Sequence, residues 1–137
     1  MTRRSIDKLE TFSEAGFKTT GNNIEAVRNS SIIILCIEPQ QAQGVLKEIG
    51  PALDKGKHLL ISIVSGLSIA QIRDQIQAKV NIIRAMPNTA IVIGEAMTCL
   101  AAQNIEKEFM PVAKNIFNTV GETLIIKEEQ MAGATSL

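Results

Sequence analysis

The chain has 137 residues, of which 45% are apolar and 20% are charged, a composition typical of one globular domain and not of a disordered chain. Its 14 basic residues balance its 14 acidic residues, and it contains neither Trp nor Tyr, so neither phosphate neutralisation nor base stacking favours a nucleic-acid partner. No apolar run is long enough to span a membrane, and no apolar segment typical of a secretory signal follows the first residues. We therefore expect no membrane partner and a cytoplasmic location.

Three short apolar runs, residues 31–37, 58–64 and 80–86, predict β-strands. Continuous apolar runs of this kind are typical of strands that are covered on both faces, as in a parallel sheet. Residues 40–49 and 68–76 lie between these runs and have apolar side chains at helical spacing. The alternation predicts an α/β fold in which helices connect parallel strands by right-handed crossovers.

The C-terminal third of the chain continues this alternation. Residues 97–102 predict a strand, and Asn104 is a candidate N-cap for the helix that follows it. We expect Pro111 to kink or interrupt that helix and Gly121 to end it. Residues 122–127 predict a last strand.

The two cysteines and the single histidine do not predict a metal site, because no pair of them has metal-ligand spacing. We expect Cys36 and Cys99 to be reduced and buried, and His58 to lie at the edge of a strand. Nothing in the sequence supports a nucleophile paired with His58, so no catalytic residue is identified.

The segments that follow the three strands are the candidate ligand site, because ligands of open parallel sheets bind beyond the carboxyl ends of the strands. Gly66 permits a tight turn, and the helix after it offers backbone N–H groups to an anion or a nucleotide ribose. Each segment alone has the composition of an ordinary turn, but their joint position favours one polar cleft. The segments are Glu38-Pro39-Gln40, Ser65-Gly66-Leu67-Ser68 and Met86-Pro87-Asn88-Thr89.

The glycine-rich motif of dinucleotide-binding turns, G-x-G-x-x-G, is absent from these residues. No two of the nine glycines are two residues apart, so the motif cannot occur. The residues by themselves therefore predict an α/β domain with a polar ligand cleft and do not identify the ligand.

In this order, several segments resemble the N-terminal domain of pyrroline-5-carboxylate reductases. The most specific is Arg84-Ala85-Met86-Pro87-Asn88-Thr89, and weaker matches extend over essentially the whole chain. These weaker matches include Arg4-Ser5 and residues 23–27, 33–40, 61–69, 94–98 and 128–131. The resemblance implies that residues 1–137 form a partial NAD(P)-binding Rossmann domain, with a doubly wound, mostly parallel sheet that lacks its first two strands. It also implies hydride transfer to 1-pyrroline-5-carboxylate, giving L-proline in proline biosynthesis.

The resemblance assigns positions along the cofactor. Arg4 and Ser5 would lie at the adenosine ribose or its 2′-phosphate, and the basic residue favours NADP, with NAD as the alternative. Asn23 would reach the adenine. Further cofactor contacts would come from Cys36, Ile37, Glu38, Pro39, Ser65, Gly66, Met86 and Pro87.

The small-molecule substrate would contact Asn88 and Thr89, beside the nicotinamide. No residue in the matched segments resembles a general acid. In a hydride transfer the cofactor carries the chemistry, and the protein supplies position and electrostatics.

The chain departs from the family pattern in three respects. The family's first strands with their glycine-rich turn, and its C-terminal helical dimerisation domain, have no counterpart in these residues. Glu38 occupies a position at which the family usually has lysine, and a carboxylate there would repel a cofactor phosphate. We therefore expect the chain by itself to be inactive or nearly so.

The first departure predicts an unpaired strand edge. With the first two strands absent, a strand at about residues 17–20 lacks its neighbour, and one edge of the apolar strand at residues 32–37 is exposed. An exposed apolar edge favours pairing with another chain. We expect residues 1–29 to repack, to fray or to pair with a second copy, which would give a homo-oligomer.

Other functions remain compatible with the sequence. Glu38 and the missing glycine-rich turn favour a non-catalytic nucleotide-binding or interaction module. A folded remnant without a ligand is a second alternative. A related Rossmann reductase that acts on another small imine or acid is a third, and residues 84–89 argue against it.

Overall fold

A computed structural model of the chain describes residues 1–105 and 108–134. One five-stranded sheet lies at its centre, and the spatial order of the strands equals their order in the chain. The mixed α/β fold with a mostly parallel sheet is therefore confirmed. The strands are β1 (Ile32–Leu35), β2 (Leu59–Ser62), β3 (Asn81–Pro87), β4 (Ala96–Ala102) and β5 (Gly121–Ile125).

Six α-helices and four short 3₁₀ turns surround the sheet in the described residues. Among these residues, no helix combines the length and the apolar character needed to cross a bilayer. The α-helices are α1 (Glu10–Glu14), α2 (Asn23–Arg28), α3 (Pro39–Ile49), α4 (Ile69–Ile76), α5 (Phe109–Phe117) and α6 (Met131–Ala134). The 3₁₀ turns are Ile6–Leu9, Gly50–Ala52, Thr89–Ile93 and Glu128–Gln130.

The first three strands are parallel, and α3 and α4 connect them. Their register aligns Leu35 with Ser62 and Ser62 with Arg84, so all three strands end at the same end of the sheet. Gly50 follows α3 where that helix meets α4. A Cβ at Gly50 would lie 2.7 Å from the carbonyl oxygen of Ile76, so only glycine permits this close contact between the helices.

Strands β3 and β4 are antiparallel, although the alternating pattern of the sequence predicts crossovers throughout. The connection between them contains only the 3₁₀ turn Thr89–Ile93 and its flanking residues. A parallel connection needs a crossover of a dozen or more residues, which this segment does not supply. The chain therefore reverses direction here and becomes parallel again between β4 and β5.

The core has a large cluster on each face of the sheet and a smaller third cluster formed by Cys99, Ala101 and Met131. Helices α3 and α4 cover one face, where their apolar residues pack on Leu35, Leu60 and Ile82. Helix α5 covers the other face and packs on Ile61 and Ile83. Alternate residues of β2 and β3 thus face opposite layers, as the apolar runs predict.

Residues 1–29 form a small unit beside α3. A single parallel bridge joins Thr2 to Thr20, and the predicted strand at residues 17–20 is reduced to that one residue. Apart from this bridge, no strand lies beside the segment in the described residues, as expected from the missing neighbour. Within the described residues, β1 pairs only with β2, so its other edge carries no strand.

Three predictions for the C-terminal third need correction. Helix α5 begins at Phe109 with Glu108 at its N-cap, so Asn104 does not cap it. Pro111 lies in its first turn, where the backbone N–H has no partner within the helix, and the helix continues without interruption. Gly121 begins β5 and does not end α5. A Cβ at Gly121 would lie 2.0 Å from the carbonyl oxygen of Ala96, so strands β4 and β5 require glycine there.

The expectations for the cysteines and the histidine hold only in part. Both thiols are free and Cys99 is buried, but Cys36 is exposed because it lies beyond the last paired residue of β1. His58 lies directly before β2, as expected at a strand end, and it is fully buried. Its Nδ1 accepts a hydrogen bond from the backbone N–H of Asp54, and its Nε2 lies 3.1 Å from the carbonyl oxygen of Val27.

Candidate nucleotide-binding site

The turns that follow β1, β2 and β3 leave the sheet at the same end, as the sequence predicts. Pro39 is the first residue of α3, Gly66 follows β2, and Asn88 follows β3. Since the three strands are parallel neighbours, their turns are also neighbours. This is the position at which open α/β sheets bind their ligands.

A cavity of about 500 Å³ opens at this end, between α4 and the C-terminal segment. We call it the carboxyl-end cavity. It contains two of the predicted cofactor residues, Gly66 and Met86. Its lining consists of Gly66, Ser68, Arg84, Met86, Glu128, Glu129, Met131 and Ala132.

Gly66 gives the cavity an open backbone surface in the turn between β2 and α4. Its φ of 73° lies in the left-handed region, which favours glycine. Nothing lies within 4 Å of the position that a Cβ would take, so a ligand has access to the backbone there. The exposed Ser65 precedes it in the same turn. This geometry fits the predicted approach to a nicotinamide ribose.

A buried ion pair forms one wall of the cavity. Arg84 Nη1 lies 3.2 Å from Glu128 Oε1, and each side chain is only 10% exposed. The other carboxylate oxygen of Glu128 accepts a hydrogen bond of 2.6 Å from Gln103 Nε2. These contacts hold the segment after β5 against β3 and the end of β4.

The N-terminus of α4 is already partnered in this structure. The Ser68 hydroxyl accepts a hydrogen bond from the backbone N–H of Gln71 and completes a capping box with the Gln71 side chain. The backbone N–H of Ile69 donates to Glu128 Oε1 at 2.7 Å. The N–H groups of Ile69 and Gln71 are therefore not available to a ligand in this structure, because Glu128 and Ser68 accept them.

The turn after β1 brings four predicted cofactor residues to the same end of the sheet. Cys36, Glu38 and Pro39 are exposed, and Ile37 is half-buried against the α3–α4 core. The Glu38 carboxylate accepts a hydrogen bond from Gln40 Nε2 and has no cationic partner among the described residues.

The end of β3 carries the predicted substrate residues. Met86 and Pro87 are half-buried, whereas Asn88 and Thr89 are exposed at the start of the 3₁₀ turn. Asn88 Oδ1 accepts a hydrogen bond from the backbone N–H of Met97 at 3.3 Å, which orients the amide across the β3–β4 turn. Of these residues, only Met86 lines the carboxyl-end cavity.

The residues predicted at the adenosine lie in the N-terminal unit. Arg4 and Ser5 are exposed just after the bridge at Thr2. Asn23 accepts a hydrogen bond from the Thr2 hydroxyl and donates to Glu48 Oε2, so its amide joins the N-terminus to α3. An adenine contact at Asn23 would compete with these two hydrogen bonds.

Arg84 and Glu128 line the cavity but are not among the site residues predicted from the sequence. Arg84 lies within an apolar strand, on the same face as Ile82 and Met86. Its position there predicts a buried charge that needs a partner. The partner cannot be found by pattern because Glu128 is 44 residues away. In the described residues there is no cluster of three His, Cys, Asp or Glu side chains able to hold a metal ion, and the absence of a metal stays a prediction.

Comparisons with known proteins agree with this geometry. The family described as NADP oxidoreductase, coenzyme F420-dependent, matches residues 1–66. Pyrroline-5-carboxylate reductase 1 of Dictyostelium discoideum is 36% identical over 149 residues, covering 100% of this chain and 27% of that protein. The fold is that of a Rossmann-like domain, and the segment matched by this oxidoreductase family includes β1 and β2.

Two solved structures make the relationship more specific. A pyrroline-5-carboxylate reductase from Coxiella burnetii superposes with a TM-score of 0.94 at 31% identity, covering 99% of this chain and 52% of that one. A Plasmodium falciparum pyrroline carboxylate reductase with NADP bound superposes with a TM-score of 0.81 at 30% identity. This match covers 88% of this chain and 45% of that one. The resemblance to pyrroline-5-carboxylate reductases is confirmed, and the similarity extends over essentially the whole chain. The chain spans about half the length of these solved relatives.

Proposed function

We propose that this chain supplies part of the nucleotide-binding domain of a pyrroline-5-carboxylate reductase, which reduces 1-pyrroline-5-carboxylate to L-proline with NAD(P)H. The observation that carries the proposal is the carboxyl-end cavity, which lies beyond β2 and β3 in a sheet that superposes on such a reductase with a TM-score of 0.94. The segment Arg84 to Thr89 forms its β3 side and leads to the proposed substrate contacts. A cytoplasmic location is part of this proposal.

The residues of the cavity fit the nicotinamide end of the cofactor. Gly66 presents open backbone, and Met86 supplies an apolar surface for a flat ring. When bound, the cofactor supplies the hydride. The chain's own residues would hold the ring at the carboxyl ends of β2 and β3, and Asn88 and Thr89 would orient the substrate beside it.

NADP is the proposed cofactor, and NAD is the alternative. Arg4 is exposed beside the Thr2–Thr20 bridge, and a guanidinium there suits a ribose 2′-phosphate. The relative from Plasmodium falciparum was solved with NADP bound. We expect Arg4→Gln to weaken NADPH binding about tenfold and NADH binding by less than about twofold. Lys8→Gln, an exposed cation in the next turn, is the matched control.

The test of the proposed function is a calorimetric titration of the chain with NADPH, followed by an assay of NADPH oxidation with 1-pyrroline-5-carboxylate. We expect weak, saturable binding with little or no turnover, because the 137 residues contain no glycine-rich turn to bind the pyrophosphate. Absence of saturable binding for both NADPH and NADH would contradict the proposal. Turnover equal to that of a whole reductase would contradict the expected inactivity.

A non-catalytic nucleotide-binding module is the second candidate function, and Glu38 favours it. Its carboxylate is exposed at the carboxyl end of β1, without a cationic partner in the described part of the chain. Glu38→Gln should strengthen dinucleotide binding by removing a repulsive charge. Glu122→Gln, on the distant β5, is the control. The decisive test fuses this chain to the C-terminal half of a complete reductase. If the fusion binds NADPH but does not reduce 1-pyrroline-5-carboxylate, the non-catalytic module is favoured.

We also propose that a second copy of the chain pairs with the free edge of β1. Ile32 and Ile34 are 39% and 47% exposed on this strand, which gives it an apolar face beside its unpaired edge. Ile34→Lys should shift the chain to a monomer in analytical ultracentrifugation, whereas Val92→Lys, at an 88% exposed position, should not. A monomeric native chain would overturn this part of the proposal.

A further inference from the structure

A second cavity, of about 600 Å³, lies at the opposite end of β3 from the proposed nucleotide site. The antiparallel pairing of β3 with β4 creates it. Because Ile83 is paired with Ala102, the chain leaving β4 passes beside the start of β3. Asn104 then adopts a left-handed conformation, with φ of 49°, and turns the chain along the cavity wall.

Among the described residues, three cations and no carboxylate line this cavity, which we call the basic cavity. Lys55 comes from the turn before β2, Arg73 from α4, and Lys79 from the segment before β3. The amide side chains of Asn81, Gln103 and Asn104 complete the polar surface. Gln103 Nε2 donates a hydrogen bond to Glu128, which does not line the cavity. Positive charge from three separate segments therefore meets in one concave site.

The three cations are not neutralised by the described part of the chain. Arg84–Glu128 is the only ion pair in residues 1–105 and 108–134, so Lys55, Arg73 and Lys79 have no carboxylate partner there. The nearby Asp54 does not line the cavity, and its Oδ1 accepts a hydrogen bond from the backbone N–H of Gly56. Arg73 uses one nitrogen, Nη1, in a long contact of 3.4 Å with the carbonyl oxygen of Val80.

We propose that the basic cavity binds a phosphate group of a small anionic molecule. Its volume falls in the range of small-molecule sites, about 300–1,000 Å³. Two lysine ammonium groups and one guanidinium match a dianion with several acceptor oxygens. A nucleic acid is disfavoured because the chain has no net charge and no Trp or Tyr on which bases could stack. The proposal does not depend on the proposed reductase function.

The test uses inorganic pyrophosphate and ADP as probes, with binding followed by amide chemical shifts of the labelled chain. We expect saturable shifts at Val80, Gln103 and Asn104 with both probes, and affinity that falls as salt is added. Shifts confined to Gly66 and Ser68 would assign phosphate binding to the nucleotide site and overturn the proposal. Shifts at Val80 with ADP alone would support it and identify a nucleotide as the source of the phosphate.

The matched variants remove equal charge at different places. Lys55→Gln/Lys79→Gln should weaken pyrophosphate binding at least about tenfold, and Lys8→Gln/Lys47→Gln by less than about twofold. All four lysines are exposed, so neither double variant should unfold the chain. Equal weakening by the two double variants would show a non-specific charge effect and overturn the proposal. Arg73→Lys, which keeps the charge, should retain saturable binding.

Discussion

The two cavities at the ends of β3 differ in how their charges are balanced. The carboxyl-end cavity is lined by one cation, Arg84, and by two carboxylates, Glu128 and Glu129. Arg84 forms its ion pair with Glu128. In the basic cavity Lys55, Arg73 and Lys79 have no such partner among the described residues. Buried charge that is paired within the chain holds elements together, whereas unpaired charge at a concave surface is available to a ligand.

Because its cation Arg84 is already paired, the carboxyl-end cavity does not suit the phosphate groups of a dinucleotide. Glu128 neutralises Arg84 and accepts the first N–H of α4, so neither group remains for an anion. The cavity instead suits an uncharged or cationic ring. This agrees with a nicotinamide and leaves the phosphates to other residues.

The largest expected effect is the loss of the buried ion pair. Glu128→Gln removes the charge that compensates Arg84 and should lower the free energy of unfolding by about 3 kcal/mol, measured by urea denaturation. Glu129→Gln, at the exposed neighbouring carboxylate, should cost less than about 0.5 kcal/mol. Equal costs for the two variants would mean that the ion pair does not organise this cavity.

A smaller loss is expected from His58, which supports the turn carrying Lys55. His58→Phe removes an acceptor for the backbone N–H of Asp54 and a partner for the carbonyl of Val27, and should cost about 2 kcal/mol. Lys55→Gln, in the same turn, should leave stability within about 0.5 kcal/mol of the native value while weakening phosphate binding. Thermal unfolding separates the two effects, and a stable His58→Phe variant would remove the structural role given to this histidine.

The N-cap of α4 should contribute less than either buried group. Ser68→Ala removes the hydroxyl that accepts the Gln71 N–H and should cost about 1 kcal/mol in chemical denaturation. Ser65→Ala, at an exposed serine in the same turn, is the control and should have little effect. If Ser68→Ala were also neutral, the hydrogen bond from Ile69 to Glu128 would be sufficient to cap the helix.

The smallest expected effect concerns a buried polar group outside both cavities. Thr98 Oγ1 is buried and has no hydrogen-bond partner among the described residues. Thr98→Val keeps the shape and removes the unpartnered hydroxyl, so it should raise the free energy of unfolding by about 1 kcal/mol. Thr123→Val, which loses a hydrogen bond to Asn118, should show no such gain. A destabilised Thr98→Val variant would reveal a partner for this hydroxyl.

Much of the fold could be predicted because its signals are local. Apolar runs predicted β1, β2 and β3, and apolar side chains at helical spacing predicted α3 and α4. The reversal between β3 and β4 was missed because it depends on the length of their connection, not on an apolar pattern. Gly121 was misinterpreted because the close approach of Ala96 is a contact between strands that the sequence does not show.

The candidate site could be located from the sequence but not built in detail. The rule that ligands bind at the carboxyl ends of parallel strands led to Gly66 and Met86, which line the cavity. It could not lead to Glu128, which reaches the site only because the chain folds back after β5. The basic cavity was missed for the same reason, since Lys55, Arg73 and Lys79 are adjacent only in the folded chain.

The central claim is that the turns after β1, β2 and β3 form one nucleotide-binding surface. Titrating the labelled chain with NADPH while recording amide chemical shifts tests it most directly. Saturable shifts are expected at Cys36, Gly66 and Asn88 together, whether or not Val80 and Asn104 also shift through phosphate binding in the basic cavity. Shifts at only one of these turns, or shifts confined to Val80 and Asn104, would contradict it.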